Sequence, residues 1–146
     1  MTHRSTRREF LGRLGAAAVA QSSLVSLFNG CAPGLATYRL GAIDRRVILS
    51  LADFPELRND GGAIELEIES IHDPLVVVRR SESEFVALSL ICTHQGCTVW
   101  KEPSFFRCPC HGSTYALDGS IARGPAEKPL AKYRTESIHG QLIIYL

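Results

Sequence analysis

Two short stretches hold the residues that could do chemistry. Cys92-Thr93-His94-Gln95-Gly96-Cys97 and Cys108-Pro109-Cys110-His111-Gly112-Ser113 each place thiol and imidazole groups within one tight loop, ten residues apart. Four ligands of type Cys₂His₂ suit one tetrahedral zinc. The spacings C-x-H and C-x-C-H are not those of zinc fingers, however, and Cys97 and Cys110 stand close by. A 2Fe–2S cluster has two irons, each needing two protein ligands. Two cysteines on one iron and two histidines on the other would use Cys92, His94, Cys108 and His111 in full. Neutral imidazole in place of thiolate removes negative charge, eases reduction and puts the potential within about −150 to +300 mV. Zinc and chance clustering are the alternatives, and the specificity of C-x-H…C-x-x-H weighs against both.

Between Cys92 and about Leu130 the sequence resembles the high-potential Rieske iron–sulfur proteins of cytochrome bc and cytochrome b/f complexes. A weaker β pattern extends the resemblance over most of the rest. It implies one 2Fe–2S cluster, with Cys92 and Cys108 on a buried iron and His94 and His111 on an outer one. Each histidine would bind through one ring nitrogen and turn the other to solvent. The resemblance also pairs Cys97 with Cys110 in a disulfide joining the two loops. Such a bridge suits an exported protein and would clamp loops that hold a cluster; two buried free thiols are the alternative. Of five cysteines, only Cys31 is then left over.

Ser113 and Tyr115 stand where the high-potential members carry hydroxyls that donate to a bridging sulfide and to a ligating cysteine. Such donors stabilise the charge added on reduction and raise the potential. Gly124-Pro125-Ala126 resembles the loop that covers the cluster from a third side. Ordinary turn and strand roles are the alternatives for these residues. His72 and His139 fall in turns and receive no role.

The elements that must position these loops read as strands. Ile64 to Glu69 alternates strictly, which puts Ile64, Leu66 and Ile68 on a core and Glu65, Glu67 and Glu69 in water. Further strands are expected from about Tyr38, over Val47–Leu51, over the apolar run Leu75–Val78, and over Phe85–Ile91 after a polar turn. Tyr133–Ile138 and Gln141–Leu146 flank His139-Gly140 as a hairpin, and Asp118-Gly119 turns between two short strands. Trp100, Phe105 and Phe106 are expected to pack beneath the loops. No stretch of the body has sustained helical periodicity, so the fold class is all-β. The resemblance makes it a Rieske-type antiparallel β-sandwich over 37–146, with a small inserted cluster-binding subdomain at about 91–127.

Residues 1–31 read as an address. Thr6-Arg7-Arg8-Glu9-Phe10-Leu11 is a twin-arginine export motif, and an apolar stretch follows from Leu14 to Phe28. As a helix that stretch reaches about 22 Å, short of the ~30 Å of a hydrocarbon core. A cleaved or lipidated signal therefore fits better than a permanent anchor, and an amphipathic N-terminal helix is the bland alternative. Cys31, after Gly30, resembles a lipoprotein box, although Phe28 and Asn29 depart from its usual residues. The expected location is the periplasmic side of the cytoplasmic membrane, reached folded, with membrane association through the N-terminus.

From Cys31 onward twelve basic residues face fourteen acidic ones, a net charge of −2. Such a body gives no reason to bind nucleic acid. One cluster takes one electron, and an exposed imidazole can accept a proton with it, which suits quinol oxidation. The reading is a free-standing or lipid-tethered periplasmic electron carrier. A quinol or periplasmic redox protein would be its donor and a cytochrome c-like protein its acceptor. The alternative is the iron–sulfur subunit of a quinol-oxidising cytochrome bc-type complex. Gln95 stands where respiratory subunits carry Leu, and only about six residues, ~20 Å extended, separate Cys31 from the first strand. Both features favour the carrier. An oxygenase subunit is the weakest reading, because no residues remain for a mononuclear iron site, and oxygenase ferredoxins lack the disulfide pair.

Overall fold

The computed structural model describes residues 34–146; the twin-arginine motif, the apolar stretch and Cys31 lie outside them. Eleven strands follow in chain order: β1 (Ala36–Leu40), β2 (Arg46–Ser50), β3 (Ala63–Ile68), β4 (Leu75–Arg79), β5 (Phe85–Ser89), β6 (Trp100–Lys101), β7 (Phe105–Arg107), β8 (Thr114–Ala116), β9 (Ile121–Arg123), β10 (Lys132–Ile138) and β11 (Gln141–Tyr145). Seven form one sheet in the order β1-β3-β4-β5-β10-β11-β2, and four form a small sheet in the order β6-β7-β8-β9. All pairings but one are antiparallel; β1 lies parallel to β3, in register from Ala36 on Ile64 to Leu40 on Ile68.

Strand β10 belongs to both halves of the large sheet. Lys132 and Tyr133 pair with β5, while Arg134 to Ile138 pair with β11. This shared strand folds the sheet over a core to which β2, β3, β4, β5 and β11 contribute side chains such as Leu49, Leu66, Val77 and Ile144. Ile64, Leu66 and Ile68 are buried, as the alternation requires. The acidic face is wetter by degrees: Glu69 is exposed but Glu65 and Glu67 are half-buried. Burial, and then the charge of Glu67, holds the Glu65 carboxyl above its ordinary range.

Strands β4 and β5 are apolar up to their last residues, Arg79 and Ser89, because both their faces are covered. Val77 and Ala87 meet the first core, whereas Val76, Val78, Val86 and Leu88 meet a second, which contains Cys92, Cys108, Tyr115 and Ala126. The two strands are thus the floor on which the thiol loops rest. Gly119 is fitted to that floor. It has φ +87°, and a Cβ there would stand 2.8 Å from Leu88 Cδ2.

At the β10–β11 hairpin His139 and Gly140 both have positive φ, 49° and 78°, the signature of a two-residue type I′ turn. Two short 3-10 turns, Leu51–Asp53 and Pro55–Arg58, are too brief to have a readable helical period. Among the described residues no helix is long and apolar enough to cross a membrane. One packing expectation fails. Phe106 is fully buried and Phe105 half-buried, but Trp100 is 60% exposed, because it stands opposite Arg107 on the outer face of the small sheet.

Candidate metal centre

The two loops are built alike. In each, a buried cysteine opens a turn that its own backbone closes. Cys92 N–H donates to the Cys97 carbonyl at 2.8 Å, and Gly96 N–H donates back to the Cys92 carbonyl at 2.9 Å. Cys108 N–H donates to the Ser113 carbonyl at 2.8 Å, and Gly112 N–H to the Cys108 carbonyl at 3.0 Å. The glycine four residues after each cysteine has φ +76°, a conformation that costs an L side chain roughly 1 kcal/mol or more. An Ile91–Thr98 bridge ties the first loop to the end of β5, and the second loop joins β7 to β8.

This construction aims backbone donors at sulfur. The N–H groups of His94 and Gln95 face Cys92, and those of Cys110 and His111 face Cys108. In both loops these are the second and third residues after the cysteine. Such converging N–H groups stabilise a thiolate. Burial pushes the Cys92 thiol up, but the Tyr115 hydroxyl, those two N–H groups and the neighbouring Cys108 thiol outweigh it and bring Cys92 below its ordinary value. Burial and the facing Cys92 push Cys108 above its own. Two neighbouring buried thiols resist ionising together, and a bound cation would remove that conflict.

Cys92 and Cys108 are free and 2% and 1% exposed. His94 is half-buried and His111 exposed, their ring centroids 4.8 Å apart and their planes at 89°. The Nδ1 atom of His94 is buried with no hydrogen-bond partner, a costly condition that a metal ion would satisfy. The donor set, two buried thiols and two imidazoles in facing loops, one with an unpartnered buried Nδ1, therefore fits a group that takes both thiolate and imidazole nitrogen.

The sulfurs of Cys97, Cys108 and Cys110 also lie within 4.8 Å of one another. Cys97 and Cys110 are joined as a disulfide, so they offer no thiolates and this trio is not a separate metal site. The bridge links the fifth residue after one loop cysteine to the second after the other.

Both hydroxyls expected near the cysteines are fully buried. Ser113 Oγ accepts the N–H of Ala126 at 3.0 Å, which brings the Gly124-Pro125-Ala126 loop to this site; Ala126 is 5% exposed and packs with the buried cysteines, while Gly124 and Pro125 are exposed. The Tyr115 hydroxyl stands 3.3 Å from Cys92 Sγ. Burial first, then Cys92, holds its pKa above the ordinary tyrosine value. Gln95 is exposed beside His94. Sequence reasoning missed Thr93. Its N–H donates to Tyr115 Oη at 3.2 Å and its hydroxyl donates to the Lys128 carbonyl, so it ties the first loop to the covering one. A hydroxyl between Cys92 and His94 was the available signal.

A family profile for the Rieske 2Fe-2S domain matches residues 50–134. The cytochrome b6-f complex iron-sulfur subunit of Chlorobaculum tepidum is 38% identical over 80 residues, 53% of this chain and 44% of that protein. Subunit 3 of the same name from a Nostoc species is 32% identical over 155 residues, 95% of this chain and 84% of that protein. The chain thus spans less than half of the Chlorobaculum relative and most of the Nostoc one. Among solved structures, the cyanobacterial plasma membrane Rieske protein PetC3 from Synechocystis is similar at a TM-score of 0.52 and 28% identity, covering 58% of this chain and 87% of that one. The chain belongs to the Rieske 2Fe–2S family. Its cofactor is one 2Fe–2S cluster, not a single zinc.

Proposed function

We propose that Cys92 and Cys108 hold the inner iron of that cluster and His94 and His111 the outer one, within a Rieske domain over 37–146 whose cluster-binding subdomain spans about 91–127. The observation that carries this assignment is the pair of buried free thiols together with two perpendicular imidazoles 4.8 Å apart, one with a buried, unpartnered Nδ1. When bound, the cluster supplies a reversible one-electron carrier of raised potential. The loop N–H groups and the Tyr115 hydroxyl hold negative charge on sulfur, and Ser113, whose oxygen already accepts Ala126 N–H, has its proton free for a further acceptor. Cys97–Cys110 locks the loops, and the 124–126 loop excludes water from one side.

The chain serves as a free-standing or lipid-tethered carrier on the periplasmic side of the cytoplasmic membrane, exported by the twin-arginine route. Its donor is a quinol or a periplasmic redox protein and its acceptor a cytochrome c-like protein; Cys31 is the candidate lipidation site. Exposed, polar Gln95 beside His94 supports a carrier over a subunit docking into an apolar quinol pocket. The second reading, an iron–sulfur subunit of a quinol-oxidising complex, is favoured by the names of the relatives, which are cytochrome b6-f subunits.

Purification of the tagged chain from detergent-solubilised native membranes separates the two. Recovery without b-type haem is expected of the carrier. Stoichiometric b-type haem would overturn it in favour of the complex subunit.

A further inference from the structure

Four side chains stand in one cross-strand row on the outside of the small sheet. Trp100 pairs with Arg107, Arg107 with Thr114, and Thr114 with Arg123, the last beside a β-bulge between Thr114 and Tyr115. Residues directly opposite one another share a face, which puts Trp100, Arg107 and Thr114 on the side away from buried Phe106 and Tyr115, and Arg123 joins them across the bulge as an exposed side chain. The row faces solvent: Trp100 is 60% exposed, and Arg107 and Arg123 are exposed. With strands about 4.8 Å apart, four residues span roughly 15 Å.

A single exposed apolar residue carries little meaning; its company here does. Among the described residues, ion pairs occupy Arg39, Arg46 and Arg79, and neither Arg107 nor Arg123 has a carboxylate in reach. Two unpaired guanidiniums on one row with a tryptophan make up the residue types that dominate binding energy at protein interfaces. Guanidinium also takes a carboxylate through two parallel N–H bonds.

We propose that this row is a docking surface for an acidic redox-partner protein, with Trp100 as its apolar anchor and Arg107 and Arg123 on the partner's carboxylates. The proposal rests on the electron-transfer reading and adds the side from which a partner is met. Arg107 directly precedes Cys108, and Thr114 directly follows Ser113, so the row lies on the backbone of the second ligand loop. Its small extent suits the brief encounters of redox proteins, which bury little surface. The net charge of −2 on the body opposes attraction to any uniformly anionic surface, a bilayer included, so the partner is one that presents its carboxylates as a local patch opposite the row.

The test uses cluster-loaded full-length protein whose EPR spectrum has first been verified. Trp100 is the only tryptophan, so its fluorescence reports contact at this face. Titration with a c-type cytochrome of near-neutral net charge that carries a local acidic patch, at low ionic strength, should give saturable quenching that weakens as salt rises. The R107Q/R123Q variant should bind at least tenfold more weakly with a flatter salt dependence. W100A, followed by the cytochrome's Soret absorbance, should also bind several-fold more weakly. Equal affinity of wild type and R107Q/R123Q would overturn the proposal. So would a Trp100 blue shift on phosphatidylglycerol vesicles without any response to the cytochrome, which would make the row a membrane contact. A chain lacking the Rieske EPR signature would fail before titration and count against the underlying reading instead.

Discussion

The hydroxyl of Tyr115 stands 3.3 Å from the sulfur of Cys92, and the bonds around it leave its proton few destinations. Thr93 N–H donates to the Tyr115 oxygen, and the Thr93 hydroxyl gives its own proton to the Lys128 carbonyl. The Tyr115 proton is left for Cys92 Sγ or for Thr93 Oγ1 at 3.1 Å. A donor to a ligating sulfur stabilises the charge added on reduction. Tyr115→Phe should therefore lower the midpoint potential by tens of millivolts, at about 40 mV per kcal/mol for one electron. Protein-film voltammetry measures this; an unchanged potential would mean that the proton goes to Thr93.

Ser113→Ala should do two things at once. It removes a hydroxyl donor and also strands the N–H of Ala126, which now ends on Ser113 Oγ at 3.0 Å. The expected result is a lower potential together with a loss of about 1–3 kcal/mol in stability, the cost of an unmade buried hydrogen bond. Voltammetry and denaturant unfolding of the loaded protein check the two effects separately. A stability change with no shift in potential would leave Ser113 a purely structural role.

The site was far more legible in the sequence than the fold that supports it. Thiol and imidazole types at these spacings single out Cys92, His94, Cys108 and His111 without any strand assignment. Alternation revealed β3, and the continuous apolar runs revealed β4 and β5, although a run alone does not say what covers its second face. That cover is the thiol-loop layer, through Phe106, Tyr115 and Ala126. The parallel pairing of β1 on β3 left no mark, because pairing direction is set by the path of the chain and not by side-chain period. The side taken by Trp100 is illegible in the sequence for a related reason. In a strand of two residues hydrophobicity cannot say which side faces in; only the pairing with Arg107 does. Thr93 was overlooked because its role depends on Lys128, thirty-five residues away.

The Cys97–Cys110 bridge spans a separation of 13 residues. Closing a loop of that size is worth about 3 kcal/mol by the chain-entropy account. Cys97→Ser or Cys110→Ser should cost an amount of that order and make cluster loss faster, since neither change removes a ligand. Thermal unfolding and the decay of visible absorbance measure the two consequences. Non-reducing mass mapping of the wild type should show the two peptides linked, and free thiols at both positions would contradict the structure.

Asp118 supplies a small acid-dependent contribution. The hydroxyl and then the N–H of Ser120 donate to its Oδ1, at 2.7 and 3.0 Å, and hold its carboxyl below the usual range. A depressed carboxyl stabilises the fold above its unfolded value, near pH 4, and that stability is lost as pH falls through the folded value. Asp118 is exposed, so solvent screening keeps the effect small. Asp118→Asn keeps an acceptor but not the charge. The stability gap between wild type and D118N should be constant near neutrality and close in acid; a gap that persists at low pH would show that the charge is irrelevant to the turn.

Gathering two buried thiols and two imidazoles around one 2Fe–2S cluster is the central claim, and metal and sulfide analysis combined with EPR tests it most directly. Purified protein should contain two iron atoms and two acid-labile sulfides per chain, and its reduced form should have an average g value below that of the free electron, as expected of histidine-ligated 2Fe–2S centres. His94→Cys and His111→Cys should each shift that spectrum or abolish it, whereas His72→Ala should leave it unchanged. Stoichiometric zinc without sulfide, or a normal spectrum after loss of either His94 or His111, would contradict the assignment.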